Sequence, residues 1–210
     1  VQMAGKKIIH PNEAEAGQNR RAQVLEAAAV CFSKNGFHGT SIQKISEAAG
    51  MSPGHIYHYF QNKEAIIHAL IQQNLGRAFE HLSHIEERSR VAGPADALVE
   101  EMRHAVRTRT DPRYVPLELE ILAESARNKS VAKFFQRADR AIHEKIEGVV
   151  KAIPSSRGLS AAELEATIDV IVAMSDGLVF RAVGNPKMNK EEVGKLMQRV
   201  VRFLVEDQKS

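Results

Sequence analysis

The chain has 210 residues, is 43% hydrophobic and 5% aromatic, lacks tryptophan, and carries 29 Lys/Arg against 26 Asp/Glu for a net charge of +3. The apolar share is enough for one large or two small cores. Three classes are excluded as readings: no apolar run can span a bilayer, the first 17 residues lack the apolar centre of a secretory signal, and one cysteine cannot build a disulfide framework. A cytoplasmic protein is expected.

Long segments rich in Ala, Leu, Val and Glu repeat their apolar residues at helical spacing, and no alternating strand-like run is bounded by turn residues. This predicts an all-α protein of about nine helices. The charge is uneven. Residues 1–63 hold seven Lys/Arg against four Asp/Glu, and residues 64–210 hold 22 of each. The positive excess thus lies in the N-terminal part and favours nucleic acid over membrane as partner.

In chain order, residues 1–16 show no periodicity and are read as a flexible arm; Lys6, Lys7, Arg20 and Arg21 are candidates for reaching DNA phosphates or a minor groove, with a solvated tail as the alternative. A first helix is predicted over Asn19–Asn35, with Leu25, Ala28 and Phe32 on one face and Gly36 as its C-cap. Cys31 on its apolar face reads as a small buried hydrophobe. From Thr40 to Lys63 the run TSIQKISEAAGMSPGHIYHYFQNK reads as helix, glycine turn and second helix. Ile42, Ile45, Ala48 and Ala49 keep helical spacing, Gly50 suits a left-handed stop, and Ser52-Pro53 supplies a cap and first turn. The second helix, about Pro53–Phe60, offers only Ile56 and Phe60 to a core while presenting His55, Tyr57, His58 and Tyr59. That division of labour suggests a DNA-reading helix.

Val24 to Leu70 resembles, without a gap, the DNA-binding domain of the TetR family of bacterial transcriptional regulators. The resemblance is carried by the alanine-rich first helix, Gly36, Thr40, Ala49-Gly50, Ser52, Gly54, Tyr57, Phe60 and Lys63-Glu64. Departures from the family pattern are Cys31, Ser46 and the order His58-Tyr59. The resemblance implies that Gln43, Pro53, Gly54 and His55 face base edges and that Thr40, Tyr57, His58, Tyr59 and Lys63 contact phosphates. These residue types suit those roles: Gln pairs bidentately with adenine, Pro and Gly permit close approach, and hydroxyl, imidazole and ammonium groups donate to phosphate oxygens.

Beyond residue 63 a long helix four is predicted over about Asn62–Glu87, with Gly76 in its middle marking a bend or, as the favoured reading, a close helix contact, followed by helices over about 95–108, 113–127 and 130–152. Ile153–Gly158 reads as a loop, and Ser160 with Glu163 forms a capping box that opens helix eight. Helix eight is apolar on most sides, and helix nine, after Asn185-Pro186, repeats Val193, Leu196, Met197, Val200 and Leu204. The resemblance implies that these two helices meet a symmetry mate in a four-helix bundle, with Ile168, Val172, Val179, Leu196 and Val200 as candidate dimer contacts.

Three other groupings are weaker. His81, His84 and Glu80, with His104 opposite, lack a complete ligand set, so neither a metal nor any other cofactor is expected. Glu118, Glu120 and Glu124 of helix six, with Arg127 nearby, read as solvated charges rather than as a cation site. Phe79, Met102, Leu119, Leu122, Phe134, Phe135 and Met174 define a candidate apolar region between helices four and eight, which core packing explains equally well. The sequence therefore predicts an arm over 1–16, a DNA-binding domain over 17–63 and a ligand-binding and dimerisation domain over 64–210. The expectation is a homodimeric regulator, not an enzyme, released from a palindromic double-stranded DNA operator by a small organic effector. The alternatives are an all-α enzyme or metal-binding bundle and a structural DNA-binding protein without effector.

Overall fold

The computed structural model of the chain describes residues 11–206, with side chains from residue 15. Lys6 and Lys7 lie outside the described residues. Nine α-helices and one 3-10 turn, with no strand, make up the described residues. Two compact units divide between Leu70 and Ile71, later than the boundary expected after Lys63.

The first unit holds α1 (Pro11–Gly39), α2 (Ile42–Ala49), α3 (Pro53–Tyr59) and the first turns of α4 (Lys63–Ala92). Helix α1 starts before the Asn19 predicted for it, at a proline whose missing N–H costs nothing in a first turn. The path of α1 breaks at Gly36, whose φ of 71° and ψ of 167° are open to glycine and strained for other residues, and one more turn brings the chain to Gly39. Ser41 caps α2 by accepting from the Lys44 amide at 3.2 Å. Gly50, at φ 62° and ψ 36°, stops α2 in the left-handed conformation, and the Met51 amide donates back to the Ser46 carbonyl at 2.9 Å. Ser52 then caps α3, with Pro53 in its first turn. Val24, Phe32, Ile45, Ile56, Ile66 and Ile67 are fully buried and form the core of this unit. Burying a side chain such as Ile56 stabilises the unit by about 1.5–3 kcal/mol.

The second unit continues α4 and adds α5 (Pro94–Arg109), α6 (Val115–Ser125), α7 (Lys129–Lys151), the 3-10 turn Pro154–Gly158, α8 (Ala161–Gly184) and α9 (Lys190–Glu206). Helix α5 packs against α7, α8 and above all α9. At Gly194 α9 lies against α5, where an added Cβ would meet Arg103 Cγ at an ordinary contact distance of 3.6 Å. Leu98, Met102, Val106, Val150, Ile168, Ile171 and Val201 share one buried cluster. The capping box at Ser160 and Glu163 is formed, with both reciprocal hydrogen bonds present. Gly76 is different: it lies in open space, with nothing within 4 Å of an added Cβ, so the close helix contact expected there is absent. Among the described residues no helix is long and apolar enough to cross a membrane.

Candidate nucleic-acid interface

Helix α3 is anchored through Ile56 and through Phe60 just beyond its end, both buried, with the Arg21 guanidinium 5.0 Å from the centre of the Phe60 ring. The rest of the helix is turned outward. Tyr57 is 54% exposed, His55 and His58 are exposed, and Tyr59 is half-buried with its ring stacked on His55 at 5.6 Å. His58 stands edge-on to Tyr59 at 5.0 Å. Pro53 is half-buried in the first turn, whereas Gly54 is exposed and a Cβ on it would touch nothing within 4 Å. On α2, Gln43 is exposed and its Nε2 donates to Glu47 Oε1 at 2.8 Å. The end of α2 is fastened to α1 by a bond the sequence pattern did not reveal, Gln23 Nε2 donating to the Ala49 carbonyl at 2.7 Å.

Two residues expected at phosphates are engaged inside the unit. Thr40 is 1% exposed, and its hydroxyl donates to the Cys31 and Gly36 carbonyls at 3.0 and 2.8 Å. The hydroxyl thus ties the turn before α2 back to the last turns of α1, where the Cys31 carbonyl also accepts from Asn35 Nδ2 at 3.1 Å. Lys63 Nζ donates to the carbonyls of Phe37 and Thr40 at 2.5 and 2.8 Å and sits 4.3 Å from the centre of the Phe37 ring. Its charge offsets the partial negative charge of those carbonyls and fixes the turn entering α2. Thr40 and Lys63 thus form a bracket around the turn into α2. Cys31 is buried, as expected, and burial pushes its thiol pKa up.

A helix held by its apolar anchors and exposing rings and imidazoles, after a capped glycine turn, is a helix-turn-helix. Residues 24–70 match the family described as bacterial regulatory proteins, tetR family, and residues 92–206 match the C-terminal part described as BetI-type transcriptional repressor. The chain belongs to the TetR family of bacterial transcriptional regulators. It is 35% identical over 127 residues to the HTH-type transcriptional regulator UidR of Escherichia coli K12, a match covering 60% of this chain and 62% of UidR, less than two thirds of that relative's length. The HTH-type transcriptional repressor AcnR of Corynebacterium glutamicum is 26% identical over 191 residues, covering 88% of this chain and 93% of AcnR. The solved structure of Salmonella enterica GusR is similar with a TM-score of 0.73 at 26% identity, over 96% of this chain and all of that one. As a TetR-family regulator the chain is not an enzyme, and the enzyme alternative falls.

In the regulator's second unit, the five candidate dimer residues divide. Ile168 and Val179 are buried in the subunit and Val172 is half-buried against its core, so they close the subunit itself; Leu196 and Val200 are exposed. The exposed apolar side chains of α8 are Val170, Phe180 and Val183, and Phe203 joins Leu196 and Val200 on α9. A helix apolar all round gave the sequence no means of choosing between its faces.

The candidate effector region divides too. Met102 is a core side chain, Phe79 and Met174 pack against that core, Leu119, Phe134 and Phe135 are half-buried, and Leu122 is 42% exposed and turned away. An open groove of about 610 Å³ lies elsewhere in this unit, walled by Arg88, Asp96, Glu100, Arg199 and Arg202 over Ala92 and Val99. Its walls are charged, unlike those of the apolar region expected.

His81 and His104 do meet, their Nε2 atoms 3.1 Å apart, and burial followed by the His81 imidazole lowers the His104 pKa. Among the described residues no group of three or more His, Cys, Asp or Glu could hold a metal ion. The carboxylates of α6 are less solvated than expected. Glu124 is 1% exposed and 3.7 Å from Arg127, and Glu118 is paired with Arg109, which also reaches Asp176 at 3.0 Å. Burial of Glu118 raises its pKa against the opposing pull of Arg109. Helix α6 packs on both α7 and α8, which leaves it little wet surface.

Proposed function

We propose that the chain is a cytoplasmic, homodimeric repressor that docks α3 of each subunit in the major groove of a palindromic operator and is released by a small organic effector. One observation carries the reading: α3 keeps only its apolar anchors inside and exposes His55, Tyr57 and His58, alongside exposed Gln43 on α2. Gln43, Pro53, Gly54 and His55 would meet base edges, and Tyr57, His58 and Tyr59 would donate to phosphates. Gly54 supports this. A helical glycine costs about 0.5–1 kcal/mol relative to alanine, and the protein itself has room for a Cβ at this position. Something outside the chain that approaches closely, such as a DNA backbone or base edge, gives the glycine a purpose.

Residues 17–63 serve as the DNA-binding domain and 64–210 as the domain for dimerisation and effector binding. The dimer contacts are the outward apolar residues Val170, Phe180, Val183, Leu196, Val200 and Phe203. The relatives UidR and AcnR are named as a transcriptional regulator and a repressor, which supports the repressor reading. The effector site is drawn from the half-buried Phe79, Leu119, Phe134, Phe135 and Met174. Enrichment of a random duplex library on the purified protein tests the function. A two-fold symmetric motif is expected, with half-sites spaced by about 34–36 Å or a multiple; a pool that enriches no sequence contradicts it.

A further inference from the structure

We infer that Glu47 is a positioning residue for sequence reading: its carboxylate holds the Gln43 amide in the one orientation that selects adenine over guanine. The inference rests on the proposed DNA reading and deepens it. Gln43 and Glu47 stand one turn apart on α2, both exposed, with Gln43 Nε2 donating to Glu47 Oε1 at 2.8 Å. An ionised carboxylate only accepts hydrogen bonds, so it admits the NH₂ end of the amide and repels the oxygen. The amide flip is thereby fixed. One of its two N–H groups is consumed by Glu47, and one N–H and the carbonyl oxygen remain.

What remains matches a single major-groove edge bidentately. Adenine presents N7 as acceptor and N6–H as donor, and it takes the free N–H and the free oxygen together. Guanine presents two acceptors, N7 and O6. Gln43 could satisfy both only by offering two N–H groups, and one of these is already held. With guanine in place the amide oxygen would face O6, acceptor against acceptor, or the bond to Glu47 would have to break. Glu47 thus acts against guanine without touching a base, which is discrimination by an unfavourable contact with the competitor as well as a favourable one with the partner. Its negative charge also opposes the phosphates, a cost that falls on every sequence alike.

The test uses the full 210-residue chain in four forms: wild type, Glu47→Ala, Glu47→Gln and Gln43→Ala. Each is used to enrich a random duplex library, and each is then titrated with the wild-type consensus duplex and with versions carrying guanine or 7-deazaadenine at its adenines. Gln43→Ala identifies the adenine that Gln43 reads. At that position wild type should prefer adenine to guanine by about tenfold and lose a similar factor with 7-deazaadenine, which lacks the N7 acceptor. Glu47→Ala should reduce the adenine preference to about threefold or less while binding all duplexes, random ones included, more tightly. Glu47→Gln, whose amide can accept from or donate to Gln43 and so no longer fixes the flip, should share the general gain in affinity and also lower the adenine preference. A purely electrostatic role for Glu47 would tighten binding to all duplexes in both variants and leave the adenine preference unchanged. An adenine preference undiminished in Glu47→Ala, or one that does not depend on Gln43, overturns the inference while leaving the DNA-reading function intact. If wild type enriches no sequence at all, the proposed function itself fails, and the inference with it.

Discussion

Helices α3 and α8 each turn one set of side chains inward and another outward, and the outward sets differ in kind. Helix α3 shows imidazoles, a phenol and a bare glycine, groups whose natural complements are phosphate oxygens and base edges. Helix α8 shows Val170, Phe180 and Val183, whose natural complement is another apolar surface. Burial alone would class both helices as half-exposed. The chemistry of the exposed half separates the surface proposed for nucleic acid from the one proposed for a second copy of the chain.

The comparison is sharpest at two neighbouring residues of α8. Val179 is 2% exposed and Phe180 is 71% exposed. Val179→Glu places an unpaired charge in the subunit core and should cost about 3–5 kcal/mol, enough to abolish a cooperative thermal transition. Phe180→Glu should leave circular dichroism and melting of the monomer intact while sedimentation velocity shows loss of the dimer. If Phe180→Glu remains a dimer, the outward apolar face is not the dimer contact.

Lys63→Ala sharpens the same distinction in the first unit. Because Nζ holds the carbonyls of Phe37 and Thr40, its loss should destabilise this unit by about 1–3 kcal/mol, seen as earlier melting before any DNA is added. Tyr57→Phe, by contrast, should leave melting unchanged. It should weaken binding to specific and random duplexes equally, by about 1 kcal/mol in a fluorescence titration. Equal melting of Lys63→Ala and wild type would return Lys63 to the list of phosphate contacts.

The smallest effect is expected at Glu101. Burial raises its carboxyl pKa to about 7, against the opposing charges of Arg88 and Arg107. A carboxyl raised in the folded state favours folding while protonated, so this contribution is present below the ordinary Glu range and is lost as pH rises from about 4.5 through about 7. Glu101→Gln should remove that dependence and gain on the order of 1 kcal/mol at pH 8, after solvent screening. Melting temperatures of both proteins between pH 5 and 8 measure it. Parallel curves would mean that Glu101 ionises as it would in water.

Signals lying within a few residues of one another were legible in the sequence. Ser52-Pro53, Gly50 and the Ser160–Glu163 pair each complete their geometry inside one turn, and the element borders they mark are formed. What a side chain does across elements was not legible. Residue type suggests an outward role for Thr40 and Lys63, and their hydrogen bonds to carbonyls of α1 and of the turn before α2 depend on how those segments fold together. Val179 and Phe180 differ by one position on a helix apolar nearly all round, so no periodicity could tell inside from outside. The Gln43–Glu47 bond lay open to an i,i+4 reading of α2, since both ends were visible at helical spacing.

The central claim is that exposed residues of α2 and α3 read a sequence in double-stranded DNA. Its most direct test is an equilibrium titration, at physiological salt, of wild type against its enriched symmetric duplex and against a scrambled duplex of equal length and composition. The account predicts at least about a thousandfold preference for the symmetric duplex, and an affinity for both that falls linearly on a log–log plot as salt rises. Equal affinities for the two duplexes would contradict it.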